Sequence, residues 1–352
     1  MRLELRRDAD GAGELWAALE PRVPERRLMC SWAWVATWLE HYGDLLPHRI
    51  AIGWDGDRVA GLALVAEETR RRGPVRLRVL HVGATGEPAS ETVYGCYNGL
   101  LAAPADRPAF AGGLVRALRA ERRWDEIALD RFSPDAAEPL LAGLDGAVTS
   151  AEQAPTTDLA AARARGGDVL AALPSRTRQQ VRRSLRELGD VRADVAETVA
   201  AADGVLAELV QLHQRRWVEA GERGAFASPR VGGFYRALAG RLVPRGEAML
   251  VRVRAESGTV GCVYNLIDGR RALSCLQGFM PAPAPKVKPG FVTHAMCMQA
   301  CLDRGLDAYD LLPEPAGWKR ELTTTTSSVV SARLARRGPR GLLLDAGRRL
   351  SR

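Results

Sequence analysis

Apolar and polar residues alternate with period two over the opening RLELR, residues 2–6, so the chain begins on a strand. The next periodic stretch, SWAWVATWLEHYG (31–43), spaces Trp34 and Trp38 four apart on one helix face and stops at Gly43. Two apolar runs follow, HRIAIGWDGD and RVAGLALVAEE, meeting at Trp54-Asp55-Gly56-Asp57. Asp-Gly between alternating runs predicts a hairpin. Strands are also predicted over 75–81 and 125–131, with a helix near 108–122 between them.

A second series starts near residue 160. The spacing predicts an arginine-carrying helix over 168–188, a helix over 204–220 with Leu206, Leu209, Leu212 and Trp217 on its apolar side, and a third over 229–242. Strands fit 248–255 and 259–268, turning at Glu256-Ser257-Gly258, and 270–279. The loop MPAPAPKVKPG then leads into a helix over 291–304, which stops at Gly305 before a last strand, AYDLL, at 308–312. Strands, a loop, a helix and a strand thus recur in both halves without an alignable sequence repeat. The predicted fold class is α/β, of the α+β mixed-sheet kind, in two tandem domains that each flank a central sheet with helices. The domains span 1–155 and 156–328, with 156–165 bridging them. Residues 329–352 are expected as a basic tail, docked as a helix or mobile, in which Asp345 is the lone acid among seven arginines.

Length and composition agree with this organisation. The 352 residues suffice for two cores, and 46% hydrophobic with 26% charged residues is globular composition. No apolar segment of signal-peptide or membrane-spanning length occurs, so the expected location is cytoplasmic, with no membrane span. Fifty Lys and Arg against 42 Asp and Glu give a formal charge of +8, which favours phosphate-bearing partners such as coenzyme A or RNA. Arginine- and alanine-rich usage also fits a GC-rich genome, so charge alone does not choose. The six cysteines form no CxxC pair; Cys297 and Cys301 share a helix face, but no matching His/Cys set accompanies them. Buried free thiols and no metal are expected.

Four features carry a family resemblance. They are Leu173-Pro174-Ser175 before the Arg-rich helix RTRQQVRRSLREL; His213-Gln214-Arg215-Arg216-Trp217 followed by Gly221, Ala225-Phe226 and Phe234-Tyr235; Lys288-Pro289-Gly290 at a helix start; and Arg304-Gly305, Tyr309-Asp310-Leu311-Leu312, then Trp318-Lys319. In this order, over roughly 155–325, they resemble the double-domain branch of the GNAT superfamily, which holds CelD-like acetyltransferases and FemABX peptidyltransferases. The resemblance implies two GNAT-like domains: a degenerate N-terminal one that helps form an acceptor cleft, and a catalytic C-terminal one. Val287-Lys288-Pro289-Gly290-Phe291-Val292 keeps one glycine of the usual pyrophosphate loop, Q/R-x-x-G-x-G/A. Branch members that use aminoacyl-tRNA have similarly degenerate loops.

A helix start offers unpaired N–H groups and a positive dipole end, a natural seat for phosphate. Gly290 lets a phosphate approach, Pro289 pre-sets the turn, and Lys286 and Lys288 add charge. By resemblance, Gln277-Gly278-Phe279 and Tyr309-Asp310-Leu311-Leu312 belong to strands that splay around a pantetheine arm, with Phe291, Val292 and Thr293 completing the cofactor set. Direct attack by an amine needs a proton acceptor. Asp310 and Glu314 are the candidates, although Asp310 reads equally well as a structural hydrogen-bonding residue. Lys319, in a Trp-Lys pair resembling the family's Tyr-Lys signature, could hold a phosphate or developing negative charge. Substrate contacts are expected from Tyr97 and Asn98, with Tyr94 beside them, and from Arg216, Trp217, Phe226, Tyr264 and Trp318. His213 reads as structural; His294 as a ligand contact or packing, equally. Arg176, Arg178, Arg182, Arg183 and Arg186 read first as a solvated face, then as an RNA contact.

Three functions follow from these readings. The first is an N-acyltransferase that carries an acyl group from acyl-CoA, acetyl-CoA first among them, to an amine of a small molecule, sugar or amino acid. The second is an aminoacyl-tRNA-dependent transferase of FemABX type, with tRNA as partner. The third is a duplicated fold that has lost catalysis and serves as a scaffold. No hydrolase triad, P-loop or Rossmann fingerprint is present.

Overall fold

A computed structural model describes residues 1–313 and 317–338. The chain divides into two compact units: Met1–Glu152 with the segment from Ser328, and Gln153–Ser327. In chain order the strands are β1 (Arg2–Arg6), β2 (His48–Asp55), β3 (Arg58–Arg72), β4 (Val75–Val82), β5 (Leu101–Ala102), β6 (Glu126–Phe132), β7 (Val148–Asp158), β8 (Arg192–Val195), β9 (Ala248–Ala255), β10 (Gly258–Asp268), β11 (Arg271–Phe279), β12 (Ala308–Asp310) and β13 (Thr325–Ala335). The α-helices are α1 (Ala12–Leu19), α2 (Trp32–Tyr42), α3 (Arg107–Ala120), α4 (Pro134–Leu141), α5 (Leu159–Ala164), α6 (Val169–Ala172), α7 (Ser175–Leu188), α8 (Val199–Glu219), α9 (Pro229–Leu242) and α10 (Pro289–Asp303). The fold class is the predicted mixed α/β one.

In the first unit the sheet runs β1-β2-β3-β4-β6, and the latter part of β13 pairs with β6. The β2–β3 hairpin forms around Gly56, whose φ of 60° is the left-handed value that an Asp-Gly turn needs. β4 and β6 pair in parallel, Val79 opposite Glu126, and α3 between them buries Phe110, Leu114 and Leu118 against the sheet. α2 starts at Ser31, whose hydroxyl accepts from the Trp34 N–H, and buries Trp34, Trp38 and Tyr42.

In the second unit the order is β7-β12-β11-β10-β9-β8. β11 and β12 are parallel; their other neighbours are antiparallel. Strand β10 is buried almost throughout because both its faces are covered. Odd positions face α10: a Cβ on Gly261 would strike Thr293. Even positions face α8 and α9, where the Tyr264 ring meets Tyr235 edge-on at 5.5 Å. The core on the α10 side joins Val251, Val253 and Val263 to Val292, Cys297, Met298 and Cys301, with Val169 and Val181 of the small helices. The cysteines are free and mostly buried.

Three expectations are corrected. The helix over 168–188 is two helices, because Pro174 cannot donate within a helix and Leu173 before it turns extended, with ψ at 155°. The bridge expected over 156–165 is not a linker: Thr156, Thr157 and Asp158 pair with Asp310, Tyr309 and Ala308 inside the second unit's sheet, and Leu159–Ala164 form α5. Of the tail expected over 329–352, residues 329–335 are the end of strand β13, Ala332–Ala335 pairing with Leu129–Glu126. Of the tail arginines, Arg340, Arg348, Arg349 and Arg352 lie outside the described residues. Among those described, no helix is long and apolar enough to cross a membrane.

Candidate functional site

β11 and β12 pair only where Arg271–Leu273 meets Ala308–Asp310. β12 ends there while β11 runs on to Phe279, so beyond Leu273 the β12-side edge of β11 has no strand partner among the described residues. At the end of β12 the backbone bends away through Leu312, which takes a φ of 61° rare for a branched residue. This turn is held from two sides. Asp310 accepts the Leu312 N–H at 2.8 Å, and Lys319 donates to the carbonyls of Leu311 at 2.6 Å and Leu312 at 3.3 Å.

A chain of polar and aromatic side chains lies between β11, β12 and α10. The His294 Nδ1 is 2.9 Å from the Tyr309 hydroxyl, which in turn donates to Ser274 at 3.3 Å. Phe279 meets the imidazole edge-on, and Trp318 stacks on it with centroids 5.2 Å apart. Burial, helped by the Lys319 cation, pushes the His294 pKa down to about 3, so the ring is neutral. Its Nε2 is a buried polar atom without a hydrogen-bond partner.

Outside this interior lies a cleft of about 300 Å³, between α8, the end of β11 and the start of α10. Leu212, Arg215, Arg216 and Glu219 form one wall, Phe279 and Met280 a second, and Pro289 with Gly290 a third. Two glycines allow these walls to approach. A Cβ on Gly278 would sit 2.6 Å from the Leu209 carbonyl, so α8 can lie flat on β11 only over glycine. One on Gly290 would lie 3.2 Å from the Phe279 ring, so glycine lets that ring pack on the helix start.

The charge of the cleft is positive. Arg215 pairs with Glu219 at 3.0 Å, whereas Arg216 is exposed and has no acidic partner among the described residues. At the helix start, the Phe291 and Val292 N–H groups both turn to the Lys288 carbonyl at 3.1 Å, and Pro289 has none. The Gly290 N–H is therefore the donor left for a ligand. A cation and a helix N-terminus facing the same space suit a phosphate group.

The structure thus brings together Arg216, Phe279 and Gly290 of the expected residues, and adds Arg215 and Met280. Lys286 and Lys288 are exposed on the loop before α10, outside the cleft lining; the Lys288 N–H donates to Ser184 of α7 at 3.0 Å. Gln277 and Gly278 contribute strand backbone rather than lining side chains. The Phe291, Val292 and Thr293 side chains pack inward, and the Thr293 hydroxyl donates to the Pro289 carbonyl, so none offers a cofactor contact.

Other expectations are corrected. Asp310 is fully buried and its carboxylate is saturated: besides Leu312, it accepts from Arg271 at 2.9 Å, Ser327 at 2.9 Å and Thr156 at 3.4 Å. No amine can reach it as a base. Lys319 is 4% exposed and engaged with backbone carbonyls, which makes it a clamp on the end of β12 and not a phosphate ligand. Tyr264 is wholly buried, its hydroxyl donating to the Tyr235 carbonyl, and touches no cleft. In the first unit Tyr97 and Asn98 are also buried; Asn98 donates to the Asp130 carbonyl at 2.6 Å, while Tyr94 stays 51% exposed under Arg131. Trp217 and Phe226 gather around His213 on the neighbouring face of α8, Trp217 being 38% exposed. Glu314 lies outside the described residues. Among those described, no group of His, Cys, Asp and Glu could hold a metal ion.

Residues 175–320 match the family model described as an acetyltransferase (GNAT) domain. No curated protein matches the sequence. Among solved structures, the fold is similar to FemX, with a TM-score of 0.62 and 11% identity over 98% of this chain and 100% of that one. It is similar to the C-terminal domain of a putative lysylphosphatidylglycerol synthetase from Agrobacterium fabrum, with a TM-score of 0.58 and 14% identity over 95% and 96% of the chains. It is also similar to L-PGS from Bacillus licheniformis, with a TM-score of 0.56 and 12% identity over 91% and 96%. At such identities the likeness is one of fold.

Proposed function

We propose, from the match of residues 175–320 to an acetyltransferase (GNAT) domain, that the second unit moves an acyl group from an acyl-CoA thioester to an amine acceptor. The cleft at the start of α10 carries this reading. It sets an unpaired N–H and the Arg216 guanidinium beside the unpartnered edge of β11. Arg216 and Gly290 would hold the pyrophosphate, and the bound thioester would supply the activated acyl carbon. The free β11 edge would take the amide groups of the pantetheine arm as a neighbouring strand would. Neutral His294 and the Lys319 clamp, which hold the end of β12, would keep it in place beside the reacting carbonyl. The acceptor must attack as a free amine. Glu314, which lies between Pro313 and Pro315 in the sequence, is the carboxylate we propose to take its proton as the C–N bond forms and the coenzyme A thiolate leaves.

A second reading, with an aminoacyl-tRNA donor, is favoured by one contact. Ser184 of α7 accepts the Lys288 N–H, so the helix that carries Arg176, Arg182, Arg183 and Arg186 on exposed positions abuts the start of α10. A polynucleotide donor could run from the cleft along that face.

The experiment compares thermal stabilisation by acetyl-CoA, longer acyl-CoAs and bulk aminoacyl-tRNA. A ligand at about 100 times its Kd adds roughly 2.7 kcal/mol, a shift of several degrees in Tm. Stabilisation by a CoA thioester that disappears in Gly290→Glu is the expected result. Stabilisation by tRNA alone, lost on reversing Arg182 and Arg183, would replace the first reading with the second.

A further inference from the structure

The first unit holds a larger cleft, of about 670 Å³, in a different place. It opens where α2 and α3 end, at Gly43 and Glu121, and thus at the opposite end of a helix from the cleft at α10. Its fixed part is Arg49 at the start of β2. That side chain is 13% exposed and is bound by Glu67, at 3.1 Å, and by Glu121. Glu67 also lies 3.8 Å from Arg78. Both carboxylates of the cleft are therefore already engaged.

Three further arginines line it: Arg7, Arg122 and Arg123. All three are exposed and none has an acidic partner among the described residues. The ends of α2 and α3 explain part of this charge, since each helix C-terminus carries roughly half a negative charge. Set against five arginines and two glutamates, the helix ends still leave an excess of about two positive charges. Guanidinium forks match phosphate oxygens in pairs, which single lysine ammonium groups do not. The cleft has room for more than one phosphate group.

We propose that this cleft binds a diphosphate group, free or as the phosphate end of a nucleotide, with Arg7, Arg122 and Arg123 on its oxygens. Arg49, held by its two carboxylates, is the floor against which those exposed side chains would close. The site lies within the first unit and does not depend on the donor proposed for the second.

The test is calorimetric titration of the full chain with inorganic pyrophosphate, ADP and adenosine, in the native protein and in R122E/R123E. These positions are exposed, so the variant is expected to keep its Tm; R122Q/R123Q serves if charge reversal disturbs folding. Pyrophosphate and ADP should bind, adenosine should not, and the double variant should weaken both ligands about tenfold or more. Tighter binding of ADP than of pyrophosphate would assign the site to a nucleotide, and equal affinities to the free diphosphate. Arg216→Glu separates the two clefts: it should lower affinity for acetyl-CoA and leave pyrophosphate binding intact. The proposal is overturned if neither probe binds, if R122E/R123E binds both as well as the native protein, or if pyrophosphate affinity falls only in Arg216→Glu.

Discussion

Each unit contains a strand, a helix and a parallel strand, β4–α3–β6 in the first and β11–α10–β12 in the second, and the two are finished in opposite ways. In the first, the space past the strand ends is occupied by Asn98. Its N–H donates to the Arg131 carbonyl at 3.0 Å, its carbonyl accepts from Ser133 at 3.2 Å, and it forms a parallel bridge to Phe132. In the second, β12 stops and the edge of β11 stays open. The helix starts differ as well. Asp106 at the start of α3 is ion-paired with Arg58 at 2.9 Å, so a carboxylate already sits at the positive helix end. At α10 the helix start, Pro289 and Gly290, lines a cleft together with Arg216. One topology is thus closed in the first unit and open in the second, depending on what fills the strand gap and which charge meets the helix, and the open version is the one proposed above to seat an anion.

The comparison can be broken hardest at Asp310. Asp310→Ala strands Arg271 beside a buried void and frees the Leu312 turn; a loss of about 3 kcal/mol is expected, at the lower end for broken buried pairs because Arg271 is partly exposed. Denaturant unfolding measures it. If stability falls by under 1 kcal/mol, the clamp on β12 is not what keeps the gap in shape.

In the first unit the corresponding probe is pH. Burial raises the Glu87 carboxyl to about 7, only partly offset by the Trp38 indole N–H that donates to it at 2.8 Å. A carboxyl that holds its proton more tightly folded than unfolded stabilises fully below the unfolded pKa of about 4.5, and that contribution is lost as pH rises through 7. The loss is at most about 3 kcal/mol. Glu87→Gln should flatten the stability difference between pH 5 and pH 8, and identical slopes in the two proteins would refute the assignment.

Arg216→Glu is expected to weaken acetyl-CoA about tenfold, or about 1.4 kcal/mol, with little change in Tm. The smallest effect belongs to Tyr264→Phe. It removes one buried hydroxyl, costs about 1 kcal/mol, and should leave every ligand affinity unchanged if Tyr264 is core.

Much of this was legible because alternation and turn chemistry agree locally. β9, β10 and β11 are apolar runs punctuated by Gly258 and Gly269, and α9 starts at Pro229 on a clear apolar face. β7 was hidden because TSAEQAPTTD has neither alternation nor apolar density; it is a strand because β12 pairs with it. β13 was hidden by arginines that suggested a solvated tail. In the site, Gly290 could be read from the loop-helix pattern, whereas Phe279 came by the family resemblance and Arg216 was expected against the acceptor and not at the helix start. The roles of Asp310 and Lys319 could not, because they are set by Arg271, Ser327 and two carbonyls that no spacing announces. His294 gave one signal, its place five residues after Pro289 on the inward side of α10.

The return of residues 328–335 to the first unit has a consequence in time. That unit's last strand is synthesised only after the 175 residues of Gln153–Ser327, roughly 10 to 35 seconds of translation. Until then β6, an interior strand of the finished sheet, presents a bare edge to the cell, while the second unit already has every strand it needs. The second unit in sequence is thus the first that can be complete.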